Sequence, residues 1–164
     1  MRRKDKEITD IDEKLNIIAQ NTICRLALFG NDYPYIVPLN YGFSYHNGTL
    51  TLYFHGATEG KKMELIKKNN RACFEIDCDT QLITGEKTCS YGYEFKSIIG
   101  FGKISIAETS DEKITGLNYL MKQQTGNDTK YDFTEHELKK VCVFTMTVED
   151  FSGKQKKSIF TALS

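Results

Sequence analysis

Two adjacent lysines, Lys61 and Lys62, close the glycine-rich stretch HGATEGKK at residues 55–62, and residues of these types in this order suit an anion. The stretch lies where an alternating apolar run ends and an amphipathic one begins. A helix start leaves backbone N–H groups unpaired, and its dipole favours negative charge. One ammonium about 4 Å from a phosphate oxygen is worth about 4 kcal/mol at an effective dielectric of about 20, less where water screens it. The local pattern by itself fits a plain turn into a helix with solvated lysines slightly better. A Walker P-loop is excluded: three residues separate Gly56 from Gly60, and Lys62 stands where that motif needs Ser or Thr.

A second stretch, PYIVPLNYGF at residues 34–43, combines two prolines, an asparagine and three aromatics in an extended run. Flat apolar surface beside exposed backbone groups suits a heteroaromatic ring with a polar edge, and it suits an ordinary edge strand as well. Of the three histidines, His46 falls at a turn and His136 in a charged helical stretch, whereas His55 adjoins the lysines. No GxSxG elbow accompanies them, and no carboxylate pair stands out for acid–base work. GFGK at residues 100–103 lacks the third glycine and the following helix of a dinucleotide fingerprint. It echoes the aromatic strands of RNA binders, but no stripe of aromatic and basic residues supports that use.

These residues need a scaffold, and the pattern predicts a mainly β one. Asp10 and Glu13 predict a capped helix with Ile11, Leu15 and Ile18 on one face. Strands are expected over residues 23–29, 35–45, 49–54, 72–77, 91–107 and 141–148, six in all. Asn47-Gly48 predicts a tight hairpin. Pro38 marks an edge, a bulge or a point where something meets the backbone, and Gly100 and Gly102 predict a bend in a long strand. Thr58 is the expected N-cap of a helix over residues 61–69, and residues 78–89 are expected to form a loop. Thr109 with Glu112 predicts a capping box, Gly126 a C-cap, residues 135–140 a short helix, and the residues after 148 a polar tail. Bent strands without βαβ alternation point to a closed or partly closed barrel.

A chain of 164 residues fits one domain, and its 22 basic residues balance 22 acidic ones, so no global field draws it to nucleic acid or membrane. Five scattered cysteines without a CxxC exclude a zinc site by spacing and read as free thiols of a cytoplasmic protein. No apolar run is long enough to span a bilayer.

Together these segments resemble the pyridoxamine 5′-phosphate oxidase-like FMN-binding split-barrel superfamily, and within it the nitroimidazole-resistance (Nim) branch. The resemblance runs from MRRKDKEI through PYIVPLNYGF, LYFHGATEGKK and YEFKSIIGFGK to EDFSGK. It implies a six-stranded antiparallel Greek-key split barrel, with its core over about residues 20–150. It also implies a homodimer with FMN in a cleft between subunits, FAD or a deazaflavin being the alternative cofactors. Val37, Pro38, Leu39 and Asn40 would line the isoalloxazine, and His55, Gly56, Lys61 and Lys62 would surround the ribityl phosphate, the two lysines as its ligands. Ser97 would approach the flavin from the bent strand, and His55 would have a mechanistic role. The implied activity is reduction of a small acceptor such as a nitro-aromatic; the alternative is a non-catalytic flavin or haem-related carrier. The chain has no tryptophan, and its closing KQKKSIFTALS has no arginine, which sets it apart from enzymes that oxidise vitamin B6.

Overall fold

The computed structural model describes residues 3–156, so the tail beyond Lys156 and the first two residues of MRRKDKEI lie outside the described residues. In chain order the elements are β1 (Glu7–Ile8), α1 (Ile11–Ala19), β2 (Ile23–Leu28), β3 (Tyr35–Asn40), β4 (Gly42–His46), β5 (Thr49–Gly56), α2 (Lys61–Lys68), β6 (Arg71–Ile83), β7 (Gly92–Ile106), α3 (Ser110–Thr125), α4 (Glu135–Lys140) and β8 (Cys142–Lys156).

All eight strands join one antiparallel sheet in the order β3-β2-β6-β7-β8-β5-β4, with β1 added to β8. The two edge strands, β3 and β4, are consecutive in the chain and joined by the single residue Tyr41. One residue cannot bridge a flat sheet of this width, because strands lie about 4.8 Å apart. The sheet therefore curls until its edges approach, which makes a split barrel. Tyr41 anchors the step: it is fully buried, and its hydroxyl donates to the Ile18 carbonyl at 2.6 Å.

Local chemistry sets most element ends. Asp10 caps α1 by accepting from the Asp12 N–H at 3.2 Å. Asn47 and Gly48 both take positive φ, 51° and 81°, the geometry a two-residue hairpin needs. Thr109 and Glu112 close a reciprocal capping box on α3, which ends at Gly126 with φ 71°. The β7–β8 ladder shifts register between Phe101 and Gly102, where Glu149 is the extra residue on β8 and a Cβ on Gly102 would strike the Thr147 carbonyl. The barrel is filled by Leu26, Leu52, Phe54, Phe74, Ile76, Ile98, Phe144 and Met146, all fully buried. Helix α3 covers the outside of β4 and β5, where Tyr119 stacks on Tyr53 with ring centroids 4.4 Å apart.

The structure corrects three expectations. The strands number eight, not six, because the expected strand 35–45 breaks at Tyr41 and β1 pairs with β8. The expected loop 78–89 is in its first half a continuation of β6, which runs to Ile83 past a bulge where Asp79 takes φ 54°. The expected polar tail is in its first part ladder, since β8 continues to Lys156 against β7.

Candidate functional site

Helix α2 begins at Lys61 behind Gly60, whose φ of 110° only glycine adopts readily. Thr58 is therefore not the cap, contrary to expectation: it lies in the bend before Gly60, two residues too early. Among the described residues no side chain caps the first turn of α2. The N–H groups of that turn thus present unsatisfied donors and the positive end of the helix dipole.

Both lysines stand at this helix start, each over an aromatic ring. Lys61 Nζ lies 4.8 Å from the Tyr35 ring centroid, and Lys62 Nζ lies 5.3 Å from that of Phe144. Among the described residues neither forms an ion pair with a carboxylate. Lys62 is half-buried, and burial pulls its pKa below the ordinary amine value, against a smaller opposing effect of Cys142. Gly56 makes this packing feasible, since a Cβ there would come within 3.3 Å of Lys62 Cε.

His55, one residue earlier on β5, lies opposite Val143 of β8. Its residue is exposed overall, yet surrounding protein first, and the Lys62 charge second, hold the imidazole pKa below 6.5. Near neutral pH the ring is uncharged and able to accept a proton. A depressed histidine pKa means the unfolded chain binds more protons, so stability is untouched above the ordinary value and falls as acid carries the pH below it. His55→Gln is expected to flatten the loss of urea resistance between about pH 7 and pH 5 relative to the parent. An unchanged slope would show that the ring is not desolvated.

The edge strand β3 runs past the same corner. Tyr35, Val37 and Leu39 are half-buried and pack on the core, while Ile36, Pro38 and Asn40 face outward. Pro38 pairs with Arg25 of β2, and among the described residues the other side of β3 has no ladder partner. Asn40 Nδ2 donates to Gln124 Oε1 at 3.2 Å, which ties this strand to the end of α3. Ser97 is not brought to the lysines: it pairs with Lys154 of β8, whereas His55 and Gly56 pair with Val143 and Cys142 near the other end of that strand. The structure thus gathers His55, Gly56, Lys61 and Lys62 at one corner with β3 alongside, and leaves Ser97 on the outer face.

Three features of the site escaped the sequence reading. Tyr35 and Phe144 carry the lysines, and Arg25 bridges Glu75 (3.0 Å) and Asp77 on the outer face. The Glu75 carboxyl is pushed above its ordinary pKa, chiefly by burial and then by Asp77. Only the β2–β6 register brings Arg25 and Glu75 together across 50 residues of chain. Around that cluster Ile23, Ile36, Ile99 and Phe101 all stay exposed.

The family model for pyridoxamine 5′-phosphate oxidase matches residues 10–155. Among solved structures, a candidate 5-nitroimidazole antibiotic resistance protein of Bacteroides thetaiotaomicron is 28% identical, with a TM-score of 0.77 over 91% of this chain and 86% of that one. The FAD and heme binding protein of Mycobacterium smegmatis shares the fold at a TM-score of 0.81 and 16% identity, covering 93% of this chain and 74% of its own. The flavocytochrome Anf3 of Azotobacter vinelandii does so at 0.78 and 14%, covering 96% and 72%. No curated protein sequence matches. With a match across most of its length and a sheet curled into the same split barrel, the chain belongs to the pyridoxamine 5′-phosphate oxidase family.

Proposed function

We propose that the chain binds FMN and works as an oxidoreductase that passes electrons to a small acceptor such as a nitro-aromatic. One observation carries this reading: two ammonium groups without carboxylate partners sit at an uncapped helix start beside an unpaired strand edge. These residues fit a flavin mononucleotide. Lys61, Lys62 and the first-turn N–H groups of α2 suit a terminal phosphate dianion. The free backbone edge of β3 at Pro38 to Asn40 suits the polar edge of a flat ring, with Val37 and Leu39 fixing the strand from the core side. Bound flavin supplies hydride or electron transfer at its N5 position. The neutral imidazole of His55 accepts or returns a proton at a ring nitrogen, a task for which a pKa at or below neutrality is suited.

Exposed apolar residues of β2, β3 and β7, set around the Arg25–Glu75–Asp77 cluster, support a homodimer. Ile23, Ile36, Ile99 and Phe101 form a patch of the kind that marks a protein contact. Pairing two copies across this face would let Ser97 of one chain complete the site of the other. Among the described residues no helix is long and apolar enough to cross a membrane.

The absorbance spectrum and mass of the small molecule that co-purifies test the cofactor, separating FMN from FAD, a deazaflavin or haem. A protein that stays colourless after soaking in FMN overturns the reading. With flavin bound, multiple turnover of a nitroimidazole is expected to slow about a hundredfold in His55→Ala, within the range for removal of a general acid or base. An unchanged rate removes His55 from the mechanism, and single turnover only in the parent makes the chain a carrier.

A further inference from the structure

Resting on the phosphate reading above, we infer that Tyr35 is a positioning residue, whose ring holds the Lys61 ammonium at the anion site without neutralising it. Other lysines of this chain are held in both ways: Lys14 and Lys154 lie over Phe151 and Phe95, whereas Lys96 is fixed by Asp79 at 2.8 Å and Lys103 by Glu149 at 3.0 Å. A carboxylate holds an ammonium firmly but cancels its charge, so an anion then meets a neutral pair. An aromatic face attracts the cation through its quadrupole and leaves the full positive charge outward.

The placement of Tyr35 suits this task. It opens β3 opposite Leu28, a buried core residue, and its own side chain is half-buried against the core. Packing therefore fixes the ring. Lys61, by contrast, is exposed at the first position of α2 and has no ion pair among the described residues. Without the ring, its flexible stem would have to be ordered each time an anion bound. Lys62 is treated alike from the inside of the barrel, by the buried ring of Phe144 and the close approach of Gly56. Two lysines from one helix turn thus rest on two rings from two different strands, β3 and β8.

Affinity for FMN, measured by quenching of flavin fluorescence, tests the inference in the full chain. Tyr35→Leu is expected to weaken binding roughly fivefold, and Tyr35→Phe, which keeps the aromatic face, to stay within about twofold of the parent. In a Lys61→Ala background, Tyr35→Leu should add nothing, because a residue that acts through Lys61 has nothing left to position. Should Tyr35→Leu fail to fold, Tyr35→Ile, a stronger strand former, takes its place. Tyr35→Phe as weak as Tyr35→Leu, Tyr35→Leu as tight as the parent, or an undiminished loss in the Lys61→Ala background each overturns the role. Parent-like affinity in Lys61→Ala and Lys62→Ala alike brings down the phosphate site itself, and Tyr35's role with it. Lysine dependence with a silent Tyr35→Leu brings down only the latter.

Discussion

Replacing Lys61 and Lys62 together with glutamate is expected to weaken FMN binding at least a hundredfold while leaving the barrel folded. A hundredfold corresponds to about 2.7 kcal/mol. Each ammonium about 4 Å from a phosphate oxygen offers up to about 4 kcal/mol at an effective dielectric near 20. Screening removes part of that, more for exposed Lys61 than for half-buried Lys62. Charge reversal then turns what remains into repulsion, so the stated loss is conservative. The fold should survive, because neither lysine holds a carboxylate in place among the described residues. Lys62→Met serves as the control: it removes an unpaired, half-buried charge, so the flavin-free protein should unfold at the same temperature or higher even as it loses ligand. Titration of apo-protein with FMN, read beside the thermal midpoint, separates the two effects. Parent-like affinity in the double glutamate variant would place the cofactor elsewhere on the molecule.

The lysines could be found in the sequence because their signal is local. A strand end, a glycine and a basic helix start occupy one short segment, and a single turn of chain brings them together. The same holds for the caps at Asp10 and Thr109, for the Asn47-Gly48 turn, and for Pro38, which proves to sit on an edge strand. What was missed is what only pairing decides. EDFSGKQK at residues 149–156 is polar enough to read as a tail, yet residues 95–101 of β7 and the short β1 give it ladder partners. Residues 35–45 look like one strand because aromatic and β-branched residues dominate the run, with Pro38, Asn40 and Gly42 scattered among them. The break at Tyr41 follows from burial of that ring and from its hydroxyl reaching Ile18, neither of which has a local signature. Likewise the Tyr35–Lys61 and Arg25–Glu75 contacts depend on strand register and helix placement, so no spacing rule could have announced them.

Phe144 ties the site to the core, and Phe144→Ala is the substitution expected to cost most in stability. The ring is fully buried on β8, directly opposite Phe54 on one side and Ile106 on the other. It stacks on Phe54 with centroids 5.3 Å apart and lies under the Lys62 ammonium. Truncation removes the transfer energy of a whole aromatic ring, and strands held by ladders on both sides cannot collapse into the cavity. Such changes cost about 3–5 kcal/mol. For a domain of this size each kcal/mol lowers the melting temperature by about 2–4 °C, so a drop of roughly 10 °C is expected. The variant should also lose FMN affinity, since Lys62 would stand over a void rather than a ring. Phe144→Leu keeps most of the volume and removes the aromatic face, so it should cost less stability yet still weaken the ligand. A loss below about 1 kcal/mol in Phe144→Ala, measured by urea unfolding, would show that the barrel wall is plastic there, and a plastic wall could not hold the Lys62 ammonium in place.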